Sequence, residues 1–138
     1  SDFSEIPGSG AAGGTGFGLK AFFEAEFLSG VAFILEQSGV KEVLDSEKFD
    51  YIVTGEGRID DQTLQGKLIQ GVMELASRYD IPVLAVCGKL DVPLETLTSN
   101  GVQDVIEIGD PNRSLAYNMQ NAKHLLQSRV SEYFTSFY

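Results

Sequence analysis

Residues 51–67 read YIVTGEGRIDDQTLQGK, and they pass from an apolar run into a polar segment rich in glycine. The apolar residues 51–53 predict a buried strand that ends at Thr54, and helical periodicity follows the polar segment. Residues 54–67 carry three glycines, three carboxylates, an Arg and a Lys. Open α/β sheets place ligand sites in strand-to-helix loops of this kind. The stretch therefore predicts an anion site with a cation nearby, where glycines let the backbone approach a ligand.

Strands and helices alternate through the rest of the chain. Further strands are predicted at residues 81–86 and 102–108. Helical spacing, caps and stop residues predict helices at residues 19–28, 31–37, 41–44, 93–99 and 115–134, with another helix of about four turns from Leu64. Because such alternation forms parallel βαβ units, the predicted fold class is α/β: three-layer, with a short, mostly parallel sheet and flanking helices, half-Rossmann-like.

One domain is the expected organisation. A chain of 138 residues with 43% hydrophobic content has room for one globular core. Residues 1–45, rich in glycine and phenylalanine, are interpreted as an entry region packed on the sheet, and residues 46–138 as a βαβαβα unit. The chain has no initiator Met, which is typical of a piece of something longer.

The net charge argues against two classes of partner. The net charge of -10 disfavours binding to nucleic acid and to anionic membrane surfaces. No apolar run is long enough to span a membrane, and residues 1–5 do not resemble a signal peptide. The single cysteine, Cys87, suits a reducing cytosol and is predicted to be a buried structural thiol. His124 has no second His or Cys to form a metal site, so none is predicted there.

The polar stretch contains candidates for phosphate chemistry. Arg58 suits bidentate binding of a phosphate or carboxylate, and Glu56 or Asp60 suits Mg²⁺ or the orientation of a hydroxyl. Lys67 lies near the N-terminal turn of a helix, where a cation costs on the order of a few tenths of a kcal/mol unless an anion offsets it. The residues alone leave open a solvated polar loop with surface ion pairs, in which Thr63 or Asp61 caps the helix.

Charged residues also follow the other two predicted strands. Lys89 and Asp91 come after the second strand, and Asp110 comes after the third. Parallel strands end at one edge of a sheet, so these residues are placed to line one crevice with Glu56 and Asp60. Each is also an ordinary turn residue, and that interpretation stays open.

The glycine-rich run GSGAAG at residues 8–13 fits the pattern G-x-G-x-x-G. A dinucleotide site needs a strand directly before such a run and a carboxylate about 20 residues later, at the end of the next strand. Only seven residues precede Gly8, and Pro7 interrupts them. A loop lying against a phosphate or another backbone is favoured over an NAD-binding oxidoreductase domain, which remains an alternative.

Two elements resemble the bacterial glycerate kinase family (type I). Residues 6–14, IPGSGAAGG, resemble its P-G-A-G-A-A-G-G element. Residues 53–67 resemble its I-T-G-E-G-R-x-D-x-Q-T-x-x-G-K signature, and residues 82–88 fit a later strand. The resemblance covers essentially the whole chain but only the C-terminal part of the family pattern. Ser9 departs from a usual Ala, and Lys89 stands where the family often has a small residue.

The resemblance implies a cytoplasmic two-domain α/β kinase with its active site in the cleft between domains. Such an enzyme transfers the γ-phosphoryl group of ATP to a hydroxyl of D-glycerate, giving 2- or 3-phosphoglycerate, and Mg²⁺ is the expected metal. The chain is then the C-terminal segment of such an enzyme, and its partners are D-glycerate, a nucleotide and the missing N-terminal part of the same protein. A non-catalytic α/β module that binds a phosphorylated metabolite is a further alternative.

The matching positions supply the candidate site. The expected catalytic residues are Glu56, Arg58 and Asp60. Arg58 and Lys67 are assigned to a phosphate or to the glycerate carboxylate, and Glu56 or Asp60 to Mg²⁺ or the substrate hydroxyl. The expected substrate- or phosphate-binding residues are Gly10, Gly13, Gly14, Thr54, Gly55, Gly57, Gln62 and Lys67.

Overall fold

The structure is a computed structural model that describes residues 8, 10–64 and 67–137, apart from the side chains of residues 62, 64, 67 and 68. In chain order the helices and strands are α1 (Ala11–Phe23), α2 (Gly30–Gln37), α3 (Val40–Ser46), β1 (Ile52–Ile59), α4 (Asp61–Leu64), α5 (Lys67–Tyr79), β2 (Val83–Leu90), α6 (Leu94–Thr98), β3 (Val102–Glu107), α7 (Leu115–Gln120) and α8 (Ala122–Thr135). Within the described residues, no helix is long and apolar enough to cross a membrane.

The sheet is parallel, with the strands in the order β1-β2-β3. Central strand β2 is buried along residues 83–87, and successive side chains point to opposite faces. Val83 packs with α5 on one face, whereas Leu84 packs with α8 on the other. Burial on both faces explains why this segment is continuously apolar rather than alternating.

Helices cover both faces of the sheet. Ile69 of α5 and Leu97 of α6 belong to one buried cluster with Ala85. On the opposite face, Tyr133 and Phe134 of α8 pack against a second cluster that includes Leu84, Val86 and Ile106. These layers confirm the predicted three-layer α/β fold.

β1 is longer than the sequence pattern predicts. The expected strand ended at Thr54 and gave way to a loop, but pairing with β2 continues to the register pair Ile59–Leu90. The hydrogen bonds that extend β1 are made with β2, which lies far away in the sequence. The glycines of the segment GEGR therefore do not end the strand, although local sequence preference predicts that they would. Glu56 and Arg58 therefore lie on a strand and not in the predicted loop.

Two predicted helices also differ in extent. The helix expected at residues 115–134 is divided into α7 and α8 at Asn121, whose side-chain amide donates to the Tyr117 carbonyl at 2.9 Å. Asn side chains that bond to backbone carbonyls compete with regular helix geometry. The helix expected at residues 19–28 ends earlier, at Phe23, because Glu24 adopts a left-handed conformation with φ 53°.

Cys87 is buried in the centre of the sheet, as predicted, with 1% exposure. Burial raises the pKa of its thiol to about 11, with smaller contributions from Glu107 and Asp91. At neutral pH the thiol is therefore protonated, which agrees with a structural rather than a nucleophilic cysteine. His124 is exposed on α8.

Glycines allow the strand ends to approach one another closely. A Cβ at Gly88 would lie 2.6 Å from the Gly57 carbonyl oxygen, and one at Gly109 would collide with the Gly88 carbonyl oxygen. The Gly109 amide donates to that same Gly88 carbonyl at 3.1 Å. Side chains at either position would push the backbone of the carboxyl edge apart.

We expect Gly88→Ala to destabilise the fold by about 1–3 kcal/mol, because the added methyl group meets backbone that cannot move aside freely. Gly57→Ala is the matched control, since a Cβ there has nothing within 4 Å. The control is expected to stay within about 1 kcal/mol of the parent. Urea unfolding followed by circular dichroism measures both, and equal stabilities for the two variants would contradict the steric explanation.

Candidate functional site

A cavity of about 610 Å³ lies at the carboxyl edge of the sheet, where all three strands contribute. Its charged lining residues come mainly from the strand ends and the segments that follow them. They are Glu56, Arg58, Lys89, Glu107, Asp110 and Arg113. Its apolar lining comes from Ile108 and from α7 and α8, with Leu115 and Met119 among the exposed members. Parallel topology thus brings Lys89 and Asp110 to the same crevice as Glu56 and Arg58.

The floor of this cavity is main chain. Gly57, Gly88 and Gly109 all line it. Because these residues lack side chains, the strand ends pack closely, and the Gly109 amide bonds to the Gly88 carbonyl across them.

Asp60 caps the short helix α4, and Thr63 completes the cap. The Thr63 amide donates to Asp60 Oδ1 at 3.2 Å, while the Asp60 amide donates to Thr63 Oγ1 at 3.2 Å. The two residues therefore satisfy one another's amides, as in a capping box. The sequence pattern offers Thr63 or Asp61 as the cap of the helix expected from Leu64, which begins at Lys67 as α5, whereas Asp60 caps α4, a short helix that the pattern does not predict.

Thr63 also links the cap to Glu56. Its hydroxyl, in a residue that is 8% exposed, lies 3.4 Å from Glu56 Oε2, 3.4 Å from Asp60 Oδ1 and 3.2 Å from the Arg58 carbonyl oxygen. One hydroxyl carries one proton, so it donates to only one of these acceptors at a time. The sequence offered Thr63 only as a cap, and its contact with Glu56 seven residues away depends on how α4 folds back on β1.

Two carboxylates therefore converge on the Thr63 hydroxyl. Among the described residues, no group of three or more His, Cys, Asp or Glu is arranged to hold a metal ion. Glu56 and Asp60 instead form a two-carboxylate set. This set fits the usual protein contribution to Mg²⁺, which takes its remaining ligands from phosphate oxygens and water.

Arg58 and Lys89 share one carboxylate. Arg58 Nε lies 2.5 Å from Asp91 Oδ2 and 3.6 Å from Asp60 Oδ2, and Lys89 Nζ lies 2.8 Å from Asp91 Oδ1. Lys89, followed by Arg58, holds the pKa of Asp91 below its ordinary value, against the opposing effect of desolvation. The position of Asp91 after the second predicted strand places it at this edge, but nothing in the sequence pattern indicates that it joins two cations.

Asn118 of α7 fixes the loop after β3. Its side-chain oxygen accepts from the Asp110 amide at 3.1 Å, and its side-chain amide donates to the Asp110 carbonyl at 3.0 Å. Arg113, in the same loop, stacks over the Tyr117 ring at 5.1 Å from its centroid. Asn118 was missed by sequence reasoning because a single polar residue on a helix carries no signal of its distant partner.

Other predicted site residues lie elsewhere. Thr54 and Gly55 belong to the middle of β1, before the cavity. Gly10 precedes α1, Gly13 and Gly14 lie in its first residues with non-helical backbone angles, and none of the three is among the described residues that line the cavity. Gly13 and Gly14 have φ values of 66° and 92°, and a Cβ at any of the three would meet nothing within 4 Å.

Two further candidates are described only in part. Lys67 is the first residue of α5, which confirms its predicted position at a helix N-terminus. Gln62 lies within α4. The side chains of both lie outside the described part of the structure.

Comparisons with known proteins agree with the motifs. The sequence profile of the glycerate kinase family matches residues 1–137. A glycerate kinase of Halalkalibacterium halodurans is 37% identical over 126 residues, which is 91% of this chain and 33% of that protein. A glycerate 2-kinase of Escherichia coli K12 is 35% identical over 107 residues, which is 78% of this chain and 28% of that protein.

A solved structure gives the same result. The protein assigned as glycerate kinase 2 from Salmonella typhimurium LT2 is 29% identical, with a TM-score of 0.59 over 95% of this chain and 34% of that one. The chain thus spans about a third of the length of these relatives. The profile match over nearly every residue and the shared fold establish that this chain belongs to the glycerate kinase family.

Proposed function

We propose that the protein containing this chain transfers the γ-phosphoryl group of ATP to a hydroxyl of D-glycerate, giving 2- or 3-phosphoglycerate. The observation that carries the proposal is the cavity at the carboxyl edge, where cations and carboxylates meet above a glycine floor. Phosphoryl transfer depends mainly on positioning and on neutralising charge, and these are the groups that perform both tasks. The relatives named glycerate kinase and glycerate 2-kinase support the choice of substrate.

Arg58 is proposed to bind an oxyanion, either a phosphoryl group or the glycerate carboxylate. Its side chain is 61% exposed and lines the cavity, and Asp91 fixes the guanidinium through Nε. Guanidinium donors on different nitrogens match pairs of phosphate or carboxylate oxygens. Lys67 keeps its proposed role at the N-terminus of α5, where a bound anion would offset the unfavourable position of a cation.

Glu56 and Asp60 are the residues that would hold Mg²⁺. The metal would neutralise negative charge on the phosphate oxygens of ATP. The protein's own part is to orient the carboxylates: the Thr63 amide donates to Asp60 Oδ1, and the Thr63 hydroxyl lies 3.4 Å from Glu56 Oε2. Asp60 is the more constrained of the two, because its Oδ1 accepts the amide that caps α4.

The remainder of the longer protein is proposed to supply the opposite wall of the site. Leu115 and Met119 at the cavity are 73% and 70% exposed, so this side of the cavity is wide open in the described chain. A cleft closed by a second domain would exclude water from the reacting groups. The cytoplasm, where thiols stay reduced, suits the unpaired Cys87.

Neither alternative has a specific observation in its favour. A strand directly before Gly8, which an NAD site requires, would fall at residues 1–7, outside the described residues. A non-catalytic module would use the same cavity, so it is distinguished from a kinase by turnover alone.

We expect this chain by itself to show no glycerate-dependent consumption of ATP, because the opposite wall is proposed to come from the rest of the longer protein. A coupled assay of ADP release measures this. The longer natural protein, which is proposed to supply the facing groups, is the positive control. Robust turnover by the chain alone would show that the site is complete within these 138 residues.

In the longer protein, Arg58→Ala should lower kcat/KM by at least about tenfold, since charge-assisted hydrogen bonds contribute roughly 1.5–3 kcal/mol. Arg129→Ala is the matched control, because Arg129 is an exposed arginine of α8 paired with Glu132. The control should keep parental kinetics. Near-parental kinetics for Arg58→Ala would mean that the guanidinium does not contact the substrates. Because the Arg58 side chain is exposed, the substitution should change the stability of the protein little.

Glu56→Gln tests the proposed metal ligand. The amide keeps the shape of the side chain but removes the charge that attracts Mg²⁺, so kcat should fall by at least about tenfold and the Mg²⁺ concentration giving half-maximal rate should rise. Glu132→Gln, an exposed change on α8, is the control. If Glu56→Gln had the same Mg²⁺ dependence as the parent, Glu56 would not be a ligand of the metal.

A further inference from the structure

Asp91 stands where the ends of β1 and β2 meet. It follows directly after β2, and its amide donates to the Ile59 carbonyl, the last of β1, at 2.8 Å. Its side chain is 21% exposed. The backbone of this residue is therefore fixed to both strands, and this limits the positions that its carboxylate can reach.

Two cations face one another beside it. Arg58 and Lys89 are register partners on the neighbouring strands β1 and β2. Like charges directly opposite each other in a sheet repel, so two long cationic side chains in this arrangement tend to separate. Both also lie beside the same cavity.

The Asp91 carboxylate opposes this separation by using one oxygen for each cation. Oδ2 accepts from Arg58 and Oδ1 accepts from Lys89. Asp60 Oδ2 also lies 3.6 Å from Arg58 Nε, so two carboxylates balance the two cations. The attraction for an anion therefore comes from the N–H donors that Arg58 and Lys89 present beside the cavity, not from a net positive charge. The lowered pKa of Asp91 agrees with a carboxylate that stays ionised between these cations.

We propose that Asp91 is a positioning residue that holds the Arg58 guanidinium and the Lys89 ammonium side by side, so that both act on one oxyanion of the bound substrates. The inference rests on the proposed function and extends it, because it makes Lys89 a second cation of the oxyanion site. The oxyanion is a phosphoryl group of the nucleotide or the carboxylate of glycerate. Both present oxygens that suit paired cationic donors.

An ordinary turn role for Asp91 makes a different prediction. Asn serves in turns about as well as Asp, so Asp91→Asn keeps a turn residue while removing the charge. It also leaves Arg58 and Lys89 without their shared carboxylate. Asp91→Glu keeps the charge on a longer side chain and serves as the conservative variant.

The experiment compares the longer natural protein with its Asp91→Asn, Asp91→Glu and Asp50→Asn forms, Asp50 being an exposed aspartate before β1. Asp91→Asn should lower kcat/KM at least about tenfold, with little change in the urea midpoint of unfolding. Asp91→Glu should recover part of this loss of activity. Asp50→Asn should have the same kcat/KM as the parent. A higher KM for ATP alone identifies the phosphoryl group, and a higher KM for glycerate alone identifies the carboxylate.

Coupling provides the decisive readout. Because Asp91 acts through Arg58 and Lys89 together, adding Asp91→Asn to the Arg58→Ala background should cost less in kcat/KM than Asp91→Asn costs in the parent, whereas independent effects would multiply. Parental kinetics in Asp91→Asn, or fully multiplicative losses in the double variant, would overturn the inference while leaving the kinase proposal intact.

Absence of glycerate-dependent ATP consumption in the parent would instead overturn the proposed function. Calorimetric titration with pyrophosphate then tests Asp91 separately in the same longer protein. Binding that is at least about fivefold weaker in Asp91→Asn than in the parent supports the positioning role. Equal binding overturns it.

Discussion

Close approach of three parallel strand ends is the constraint on which the rest of the site depends. The backbone of Gly88 lies against the Gly57 carbonyl, and Gly109 lies against Gly88 in turn. Side chains at Gly88 and Gly109 would separate the strands where the chemistry is placed. The glycines thus serve packing at the cavity wall, because their missing side chains let the three strand ends come together there.

Charged groups at this edge are organised in two connected sets. Thr63 joins the carboxylates of Glu56 and Asp60, and Asp91 joins the two cations. Arg58 connects the sets, since its Nε also lies 3.6 Å from Asp60. Placing most of these groups on strands or directly after them gives more rigid support than a long loop provides.

Much of this arrangement follows from local sequence pattern. Alternating apolar runs and helical periodicity predict the parallel sheet, and parallel strands necessarily bring Lys89 and Asp110 to the same edge as Glu56. The predicted extent of β1 was wrong because the length of this strand is decided by its pairing with β2, about 30 residues away in the sequence. Local residue propensity carries no information about that pairing. The ion pairs of Asp91 and the hydrogen bonds of Asn118 to Asp110 join side chains and backbone of separate helices and strands. The spacing of residues along the sequence does not indicate such contacts.

β1 is an edge strand of the sheet, and its exposed backbone bears on how this chain can associate with other chains. Val53 is 56% exposed on this strand, and an edge strand presents backbone groups onto which another strand can be added. Glu56 and Arg58 put charge on the later half of β1, which discourages such addition, whereas residues 52–55 carry no charge. Among the described residues of β1, the beginning of the strand, away from the cavity, is therefore the part more open to the addition of another strand.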